Sequence, residues 1–219
     1  MPKEILRKNP LFSCLNETEL TALASVAVKK TYPKNTILFN EGDKTDSIYI
    51  VYSGKVKVTI IDSHGKEIIL SLLGPGEYFG EMAALIDDET RSASVMTRET
   101  SELLVISRND FREILSTHPD IVFSLLKGSL ERLREANKKI ESLALMDVYG
   151  RIARLFMQFA QSSGETQIIE EKLTHQDIAN MVGSSREMVS RVMKELTTGE
   201  YIEVNNKLIE IKKKLPYSW

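Results

Sequence analysis

The sequence predicts an α+β protein in which a strand-rich part is followed by a long helix and a small helical part. Short runs of β-branched and aromatic residues recur between residues 36 and 107. From about Pro119 to Leu145 only Gly128 could break a helix, and apolar residues recur within this stretch every seven residues. Two capped helical segments meet at Gly183, near the end of the 219-residue chain. The predicted domains are 1–118, 119–146 and 147–219.

The strand-rich part opens with a helix. Asn16 can cap this helix, and Glu19 occupies the capping-box position three residues later. The predicted strands are 36–39, 47–52, 55–61, 66–72, 92–96 and 102–107. Asp62-Ser63-His64-Gly65 has the composition of a hairpin turn. Short strands at this regular spacing favour an antiparallel barrel or jelly roll.

The long helix carries two interleaved apolar rows. Leu126, Leu133 and Ile140 form one row, and Leu130, Asn137 and Ala144 form the other. Rows that repeat every seven residues are typical of helix pairing, so we expect a homodimer in which two copies of this helix meet. The alternative is a single helix that packs on its own barrel.

The last part of the chain has the pattern of a helix-turn-helix. Residues 174–183 resemble a short capped helix that ends at a glycine, and Ser184 is the predicted N-cap of the next helix, with Glu187 as its capping-box partner. At about 100° per residue, the second helix separates into a polar and an apolar arc. The polar arc holds Arg186, Glu187, Ser190, Arg191 and Lys194, and the apolar arc holds Val189, Val192, Met193 and Leu196. The alternative is an ordinary amphipathic surface helix.

The tail after the second helix fits a wing. Residues 201–204 and 208–211 alternate like two strands around Asn205-Asn206. The following lysines, 212–214, could meet phosphate or could lie in a solvated tail, and the sequence does not choose between the two.

Composition excludes several classes of protein. The net charge is −2, and residues 147–219 hold ten Lys and Arg against ten Asp and Glu, so DNA binding requires a local cationic face.

The single cysteine, Cys14, excludes an internal disulfide and a four-cysteine metal or iron–sulfur site, and we expect it to be a buried packing residue. The sequence shows neither an apolar membrane-spanning run nor an apolar signal core, so the expected compartment is the cytoplasm, without a membrane partner. With no nucleophile–base set and no Walker loop, we do not expect an enzyme.

One loop carries a specific motif. Residues 74–85 read GPGEYFGEMAAL and continue through 87–95, DDETRSASV. This segment strongly resembles the phosphate-binding cassette of cyclic-nucleotide-binding domains. Together with Ser185-Arg186-Glu187 and Arg191, it is similar to the bacterial family of the cyclic AMP receptor protein and the fumarate–nitrate regulator. The resemblance covers nearly the whole chain, in the domain order of the family.

The resemblance implies an allosteric cyclic nucleotide, with cyclic AMP as the first candidate, and no covalent or metal cofactor. It implies that Glu81 binds the ribose, that Arg91 and Ser92 bind the cyclic phosphate, and that Gly80 and Met82 contribute backbone groups. The chemistry agrees, because backbone N–H groups at a helix start and a guanidinium both favour an anion. The alternative is a structural Glu81–Arg91 ion pair in a barrel that binds no nucleotide.

The sequence departs from the cyclic AMP receptor at the end of the pocket expected to hold the base. The two neighbouring hydroxyl positions of that receptor are Ala136 and Asn137 here. Asn137 could reach a purine, or it could fix the register of the helix pair instead. Cyclic GMP, cyclic di-GMP, a small anion, a gas or no effector therefore stay open beside cyclic AMP.

The resemblance also implies a DNA-binding surface, which comprises Thr174, His175, Ser185, Arg186, Glu187, Ser190, Arg191 and Lys194. The expected partners are palindromic double-stranded DNA with TGTGA-like half-sites and RNA polymerase. Two alternatives stay open: a constitutive DNA-binding protein whose barrel is only a dimer scaffold, and a nucleotide-binding module that acts on a protein partner.

Overall fold

A computed structural model describes residues 5–7, 9, 12, 15–44, 46–86, 90–163, 166–205 and 208–215. The chain forms two compact units, 1–133 and 134–219. This division does not test the predicted domain boundaries, which stay predictions. Cys14 lies outside the described residues.

The described residues of the first unit include eight strands and three complete helices, followed by the first part of a long helix. In chain order they are α1 (Glu17–Val26), β1 (Val28–Tyr32), β2 (Ile37–Phe39), β3 (Ile48–Ser53), β4 (Val56–Ile61), β5 (Glu67–Leu73), β6 (Tyr78–Phe79), α2 (Glu81–Leu85), β7 (Ser94–Thr97), β8 (Ser101–Ile106), α3 (Arg108–Thr117) and α4 (Pro119–Leu145). The strands form two antiparallel sheets of order β1-β8-β3-β6 and β2-β7-β4-β5. Buried side chains of both sheets pack in one cluster that includes Phe39, Val51, Val95 and Leu103, which makes the unit a β-sandwich of the jelly-roll type.

The six predicted strands are confirmed within a residue or two at each end. The turn between β4 and β5 is also as predicted, because the Gly65 N–H donates to the Asp62 carbonyl. Strands β1 and β6 were not predicted. β1 is exposed over four of its five residues and so lacks hydrophobic alternation, and β6 has only two residues.

The helices of the first unit follow local signals. Asn16 caps α1, and the predicted capping box with Glu19 is present. α4 begins and ends at the predicted residues, and several of its apolar side chains are exposed, including Phe123, Leu126, Leu130, Leu133 and Ile140. α3 was not predicted as a helix. Ser107 caps it, and Phe111 anchors it in the core that α1 and α4 share.

The second unit continues α4 with a helical core and a small sheet. Its remaining elements are α5 (Val148–Phe159), β9 (Gln161–Ser163), β10 (Thr166–Ile169), α6 (His175–Val182), α7 (Arg186–Thr198), β11 (Ile202–Asn205) and β12 (Leu208–Ile211). The sheet order is β11-β12-β10-β9, all antiparallel. The wing hairpin β11–β12 is confirmed. Strands β9 and β10 were not predicted. β9 is Gln-Ser-Ser, without the β-branched and aromatic residues that indicate a strand, and β10 has only four residues.

The predicted N-cap of the second helix is wrong by one residue. Ser185 caps α7, and its hydroxyl accepts from the Met188 N–H. Ser184 instead closes α6, since its N–H donates to the Ala179 carbonyl at 3.0 Å. This shift places Glu187 at the second helical position, one residue short of a capping box.

Candidate functional site

The turn between β6 and α2 is built around Gly80. This residue has φ 84° and is the N-cap of α2. A Cβ at this position would lie 2.6 Å from a terminal nitrogen of Arg91 and 2.9 Å from the Ser47 carbonyl oxygen. Because both the positive φ and the close approach disfavour a side chain, only glycine fits this turn without rearrangement.

Arg91 lies under the turn and is 2% exposed. Its guanidinium donates to the Gly80 carbonyl at 3.0 Å and to the Ser47 carbonyl at 2.8 Å. It also lies 4.1 Å above the centre of the Phe39 ring. Burial lowers the pKa of the guanidinium, and the neighbouring Tyr49 and Asp46 act in the opposite direction. Arginine nevertheless stays charged near neutral pH, so the turn rests on a cation.

Glu81, the first residue of α2, is paired with Arg132 of α4. A terminal nitrogen of Arg132 lies 2.8 Å from a Glu81 carboxylate oxygen, and the Glu81 side chain is 15% exposed. Arg132 also donates to the Tyr78 carbonyl at 2.5 Å, and its guanidinium lies over the Tyr78 ring. Arg132 was not predicted as a site residue, because it is 51 residues from Glu81 and its helix was interpreted only through the heptads.

The other residues of the motif complete one cluster around this turn. The Ser92 hydroxyl contacts the Met82 sulfur at 3.5 Å, and both residues are exposed. The structure therefore brings together Gly80, Glu81, Met82, Arg91 and Ser92. Asn137 is exposed on the part of α4 that belongs to the second unit, and its contact with a nucleotide base stays a prediction.

A second candidate surface lies on the helix-turn-helix. Thr174 caps α6 in a capping box with Asp177, and Gly183 ends α6 with φ 64°. α7 then buries Val189, Val192, Met193 and Leu196, as predicted. The predicted polar arc faces outward, with Arg186, Glu187, Arg191 and Lys194 exposed.

Two predicted DNA-binding residues contact each other. Nδ1 of His175, at the start of α6, lies 2.8 Å from the hydroxyl of Ser190 on α7, and both are half-buried. This hydrogen bond joins the two helices of the motif. Nearby, the Glu187 N–H and the Ser185 hydroxyl both lower the pKa of the Glu187 carboxyl. Glu187 therefore stays an acceptor at neutral pH.

The wing lysines are largely neutralised by acidic neighbours. The Lys212 ammonium lies 2.7 Å from Glu210 and 3.0 Å from Glu203. The Lys213 ammonium lies 3.1 Å from Glu200. The ion pairs join Lys212 and Lys213 to carboxylates of the second unit, and all three lysines of 212–214 are exposed. Phosphate contact and a solvated tail both stay predictions.

Within the described parts of the chain, no group of three or more His, Cys, Asp or Glu residues is placed to hold a metal ion. No helix there is both long enough and apolar enough to cross a membrane.

Comparisons with known proteins agree with both surfaces. Residues 29–118 match the cyclic nucleotide-binding domain, and residues 150–214 match the Crp-like helix-turn-helix domain. The chain is 34% identical over 183 residues to the cAMP-activated global transcriptional regulator CRP of Salmonella typhimurium, covering 82% of this chain and 87% of that protein. This chain belongs to the CRP/FNR family of transcription regulators. The predicted family and fold class are therefore confirmed.

Two other CRP/FNR proteins are similar to this chain over most of its length. The cyclic AMP receptor protein of Thermus thermophilus is 31% identical over 207 residues, which is 94% of each chain. A solved structure of CLP from Xanthomonas campestris, described as a c-di-GMP responsive global regulator, has a TM-score of 0.78 and 27% identity, covering 90% of this chain and all of that one. CRP-family regulators bind DNA through the helix-turn-helix, act as dimers and are not enzymes. These two relatives are named for different nucleotides, so membership of the family does not by itself assign a nucleotide to this chain.

Proposed function

We propose that this chain is a homodimeric transcription regulator whose affinity for operator DNA is raised by a cyclic nucleotide, with cyclic AMP as the first candidate. The observation that carries the proposal is the cluster of Glu81, Arg91 and Ser92 around the Gly80 turn, inside the part of the chain that matches a cyclic nucleotide-binding domain. Such a regulator acts on palindromic DNA with RNA polymerase as its partner, and we expect it in the cytoplasm.

In the proposed pocket, the cyclic phosphate binds at Arg91. The guanidinium now bonds to two neutral carbonyl oxygens, those of Gly80 and Ser47. A phosphate oxygen is a stronger acceptor because it is charged, so a bound nucleotide would replace or share one of these contacts. The hydroxyl of Ser92, an exposed residue that follows Arg91 in the chain, would add a donor.

Glu81 supplies the contact to the sugar. A carboxylate can accept from the 2′-hydroxyl of ribose, and Arg132 fixes where the Glu81 carboxylate lies. The Glu81–Arg132 ion pair also argues against the alternative in which Glu81 and Arg91 form a purely structural ion pair, because Glu81 has a different cationic partner.

The response to the nucleotide is proposed to be a population shift. In the dimer, two copies of α4 pair and the two copies of α7 read the DNA. A nucleotide that binds better to one arrangement of the α4 pair favours that arrangement, and with it one spacing of the two α7 helices. Half-sites one helical turn apart are then contacted together. Within α7, Arg186 can donate to guanine and Glu187 can accept from a cytosine amine.

The test is calorimetric titration of the purified protein with cyclic AMP, with cyclic GMP and cyclic di-GMP as comparisons. We expect saturable binding of cyclic AMP that Arg91→Ala abolishes. Because Arg91 is buried and its loss can disturb folding, Glu81→Gln is the second variant, and we expect at least a tenfold weaker affinity, since a charged acceptor becomes neutral. Glu102→Gln is the matched control, because Glu102 is also a paired carboxylate of the first unit, with Lys29. Unchanged affinity in Glu81→Gln would contradict the pocket assignment.

The second half of the test measures affinity for DNA with two TGTGA-like half-sites, with and without the nucleotide. We expect the nucleotide to raise this affinity. Equal affinity in both conditions would favour a constitutive regulator. Nucleotide binding without operator binding would favour a module that acts on a protein partner. Saturable binding of cyclic di-GMP instead of cyclic AMP would assign the same pocket to the effector named for the Xanthomonas relative.

A further inference from the structure

The C-terminal end of α2 is bound by two arginines of α3. α2 has only five residues, so a helix of this length leaves its last carbonyls without partners inside the helix. Arg108 donates to the Ala84 carbonyl at 3.2 Å and to the Ile86 carbonyl at 2.6 Å. Arg112 donates to the Ala84 carbonyl at 3.1 Å and to the Leu85 carbonyl at 2.8 Å. Three consecutive carbonyls are therefore held by two guanidiniums.

Both sides of this contact are anchored in the packed first unit. Arg108 and Arg112 are four residues apart and so lie on the same face of α3. α3 is itself anchored by Phe111, which is fully buried in the core. Ala84, which accepts from both arginines, is also fully buried. Each arginine uses Nε and a terminal nitrogen, the planar fork that lysine lacks.

The same short helix carries the proposed nucleotide turn at its other end. Gly80 is its N-cap and Glu81 is its first residue. A helix of a single turn moves as one piece, so a displacement at Ala84–Ile86 reaches Gly80 and Glu81. α3 ends at Thr117 and α4 begins at Pro119, so only His118 separates the two helices.

We propose that Arg108 and Arg112 are positioning residues that hold the nucleotide turn against α3 and α4. This inference rests on the proposed function, because it assumes that the turn at Gly80–Met82 receives the nucleotide. The arginines do not contact the ligand themselves. They make the position of the turn depend on the position of α3, and by reciprocity the occupied turn favours one position of α3 and α4.

The experiment uses the full chain with both arginines replaced by lysine, R108K/R112K. This variant keeps two cations near the helix C-terminus, where positive charge is favourable, but it removes the forked hydrogen bonds. We expect cyclic AMP to bind about tenfold or more weakly in calorimetry, because a displaced turn loses hydrogen bonds to the charged phosphate, and the loss of one such bond lowers affinity by about tenfold or more. We also expect faster amide hydrogen exchange at 81–86 without nucleotide. Arg7→Lys is the matched control, because Arg7 makes an exposed ion pair with Glu17 in the same unit.

Two further measurements separate positioning from general stabilisation. The DNA affinity without nucleotide should stay at the wild-type value in R108K/R112K, and any fall in the midpoint of urea unfolding should be accompanied by weaker cyclic AMP binding. A lower unfolding midpoint with unchanged cyclic AMP affinity would overturn the proposal, because the arginines would then only stabilise the fold. Wild-type affinity and wild-type exchange would show that charge alone suffices, which also overturns it.

Failure of the proposed function gives a different result. If the wild-type chain binds none of the three cyclic nucleotides, the pocket assignment fails, and hydrogen exchange at 81–86 still decides the role of the arginines. Faster exchange confined to α2 in R108K/R112K, and absent in Arg7→Lys, supports positioning of the turn. Unchanged exchange overturns it.

Discussion

Arg186 is the residue on which we expect DNA specificity to depend most. It is exposed at the first turn of α7, and the helix buries its opposite face, so the guanidinium is free of the protein core. A bidentate arginine–guanine contact discriminates against the wrong base by about 1–3 kcal/mol. We therefore expect Arg186→Ala to weaken operator binding by about that amount and to relax the preference at one base pair of each half-site, measured by titrating operators with single base substitutions.

The control for this prediction is Arg154→Ala. Arg154 is also in the second unit, where it lies 3.4 Å from Glu141 on α4. We expect its loss to leave operator preference unchanged. If Arg186→Ala reduced affinity for operator and random DNA equally, Arg186 would be a phosphate contact and not a base contact.

At the scale of single residues, the sequence predicts which side chains are buried or exposed where this follows from the periodicity of one helix. The exposed arc of α7 and its buried counterpart follow from 3.6-residue periodicity, and the structure agrees at every apolar position named. Arg132, Arg108 and Arg112 could not be predicted in this way. Their partners lie between 22 and 54 residues away in the chain, so only the packing of the first unit brings them together.

At the scale of elements, α4 packs against the barrel through Gly128. A Cβ on Gly128 would lie 2.7 Å from the Tyr78 hydroxyl oxygen. Tyr78 is 6% exposed, and among the described residues its hydroxyl has no hydrogen-bond partner. Gly128→Ala would gain up to about 1 kcal/mol of helix propensity, but overpacking costs typically about 1–3 kcal/mol. With the full propensity gain, we expect a net loss of up to about 2 kcal/mol in the free energy of unfolding, measured by urea titration.

A double-mutant cycle tests the cause. In a Tyr78→Phe background the nearest ring atom to the new methyl group would be Cζ, at 3.8 Å, an ordinary contact. The clash is then absent, so Gly128→Ala should become neutral or stabilising. An equal loss in both backgrounds would place the cost elsewhere than at the Tyr78 hydroxyl.

Elements differ in how far sequence predicts them. The bounds of α4 agree with the predicted stretch because Pro119 marks a helix start and only Gly128 interrupts the residues that follow. The N-cap of α7 was off by one because Ser184 and Ser185 are both good caps, and only the closing hydrogen bond of α6 distinguishes them. β9 is made of Gln-Ser-Ser, and its pairing with β10 gives no local signal.

At the scale of the whole molecule, the exposed side of α4 predicts the dimer. Leu126, Leu130, Leu133 and Ile140 are each more than half exposed, although they occupy the a and d positions of the heptads. Exposed apolar rows of this length mark an interaction surface. A second copy is the partner that the family supplies, because CRP-family regulators act as dimers. The order of the two domains was predictable from sequence motifs, but the effector was not, because relatives with the same fold respond to different nucleotides.

Leu133→Glu tests this dimer. A two-fold helix pair would lose both copies of Leu133, and burying one leucine contributes about 1.5–3 kcal/mol. Together with the repulsion between two facing carboxylates, this corresponds to a dimer dissociation constant raised about 10²–10⁴-fold, measured by sedimentation equilibrium. Operator affinity should fall in parallel, because one copy contacts a single half-site.

The control is Glu135→Gln, two residues along the same helix. Glu135 is exposed, pairs with Lys138 and lies outside the two apolar rows. We expect its dimer affinity to be unchanged. If Leu133→Glu sedimented as a dimer at the same concentrations as the wild type, the helix pair would not be the subunit interface. The exposed rows of α4 would then have to be covered by some other surface, and the proposed link from nucleotide to recognition helices through α4 would fail with it.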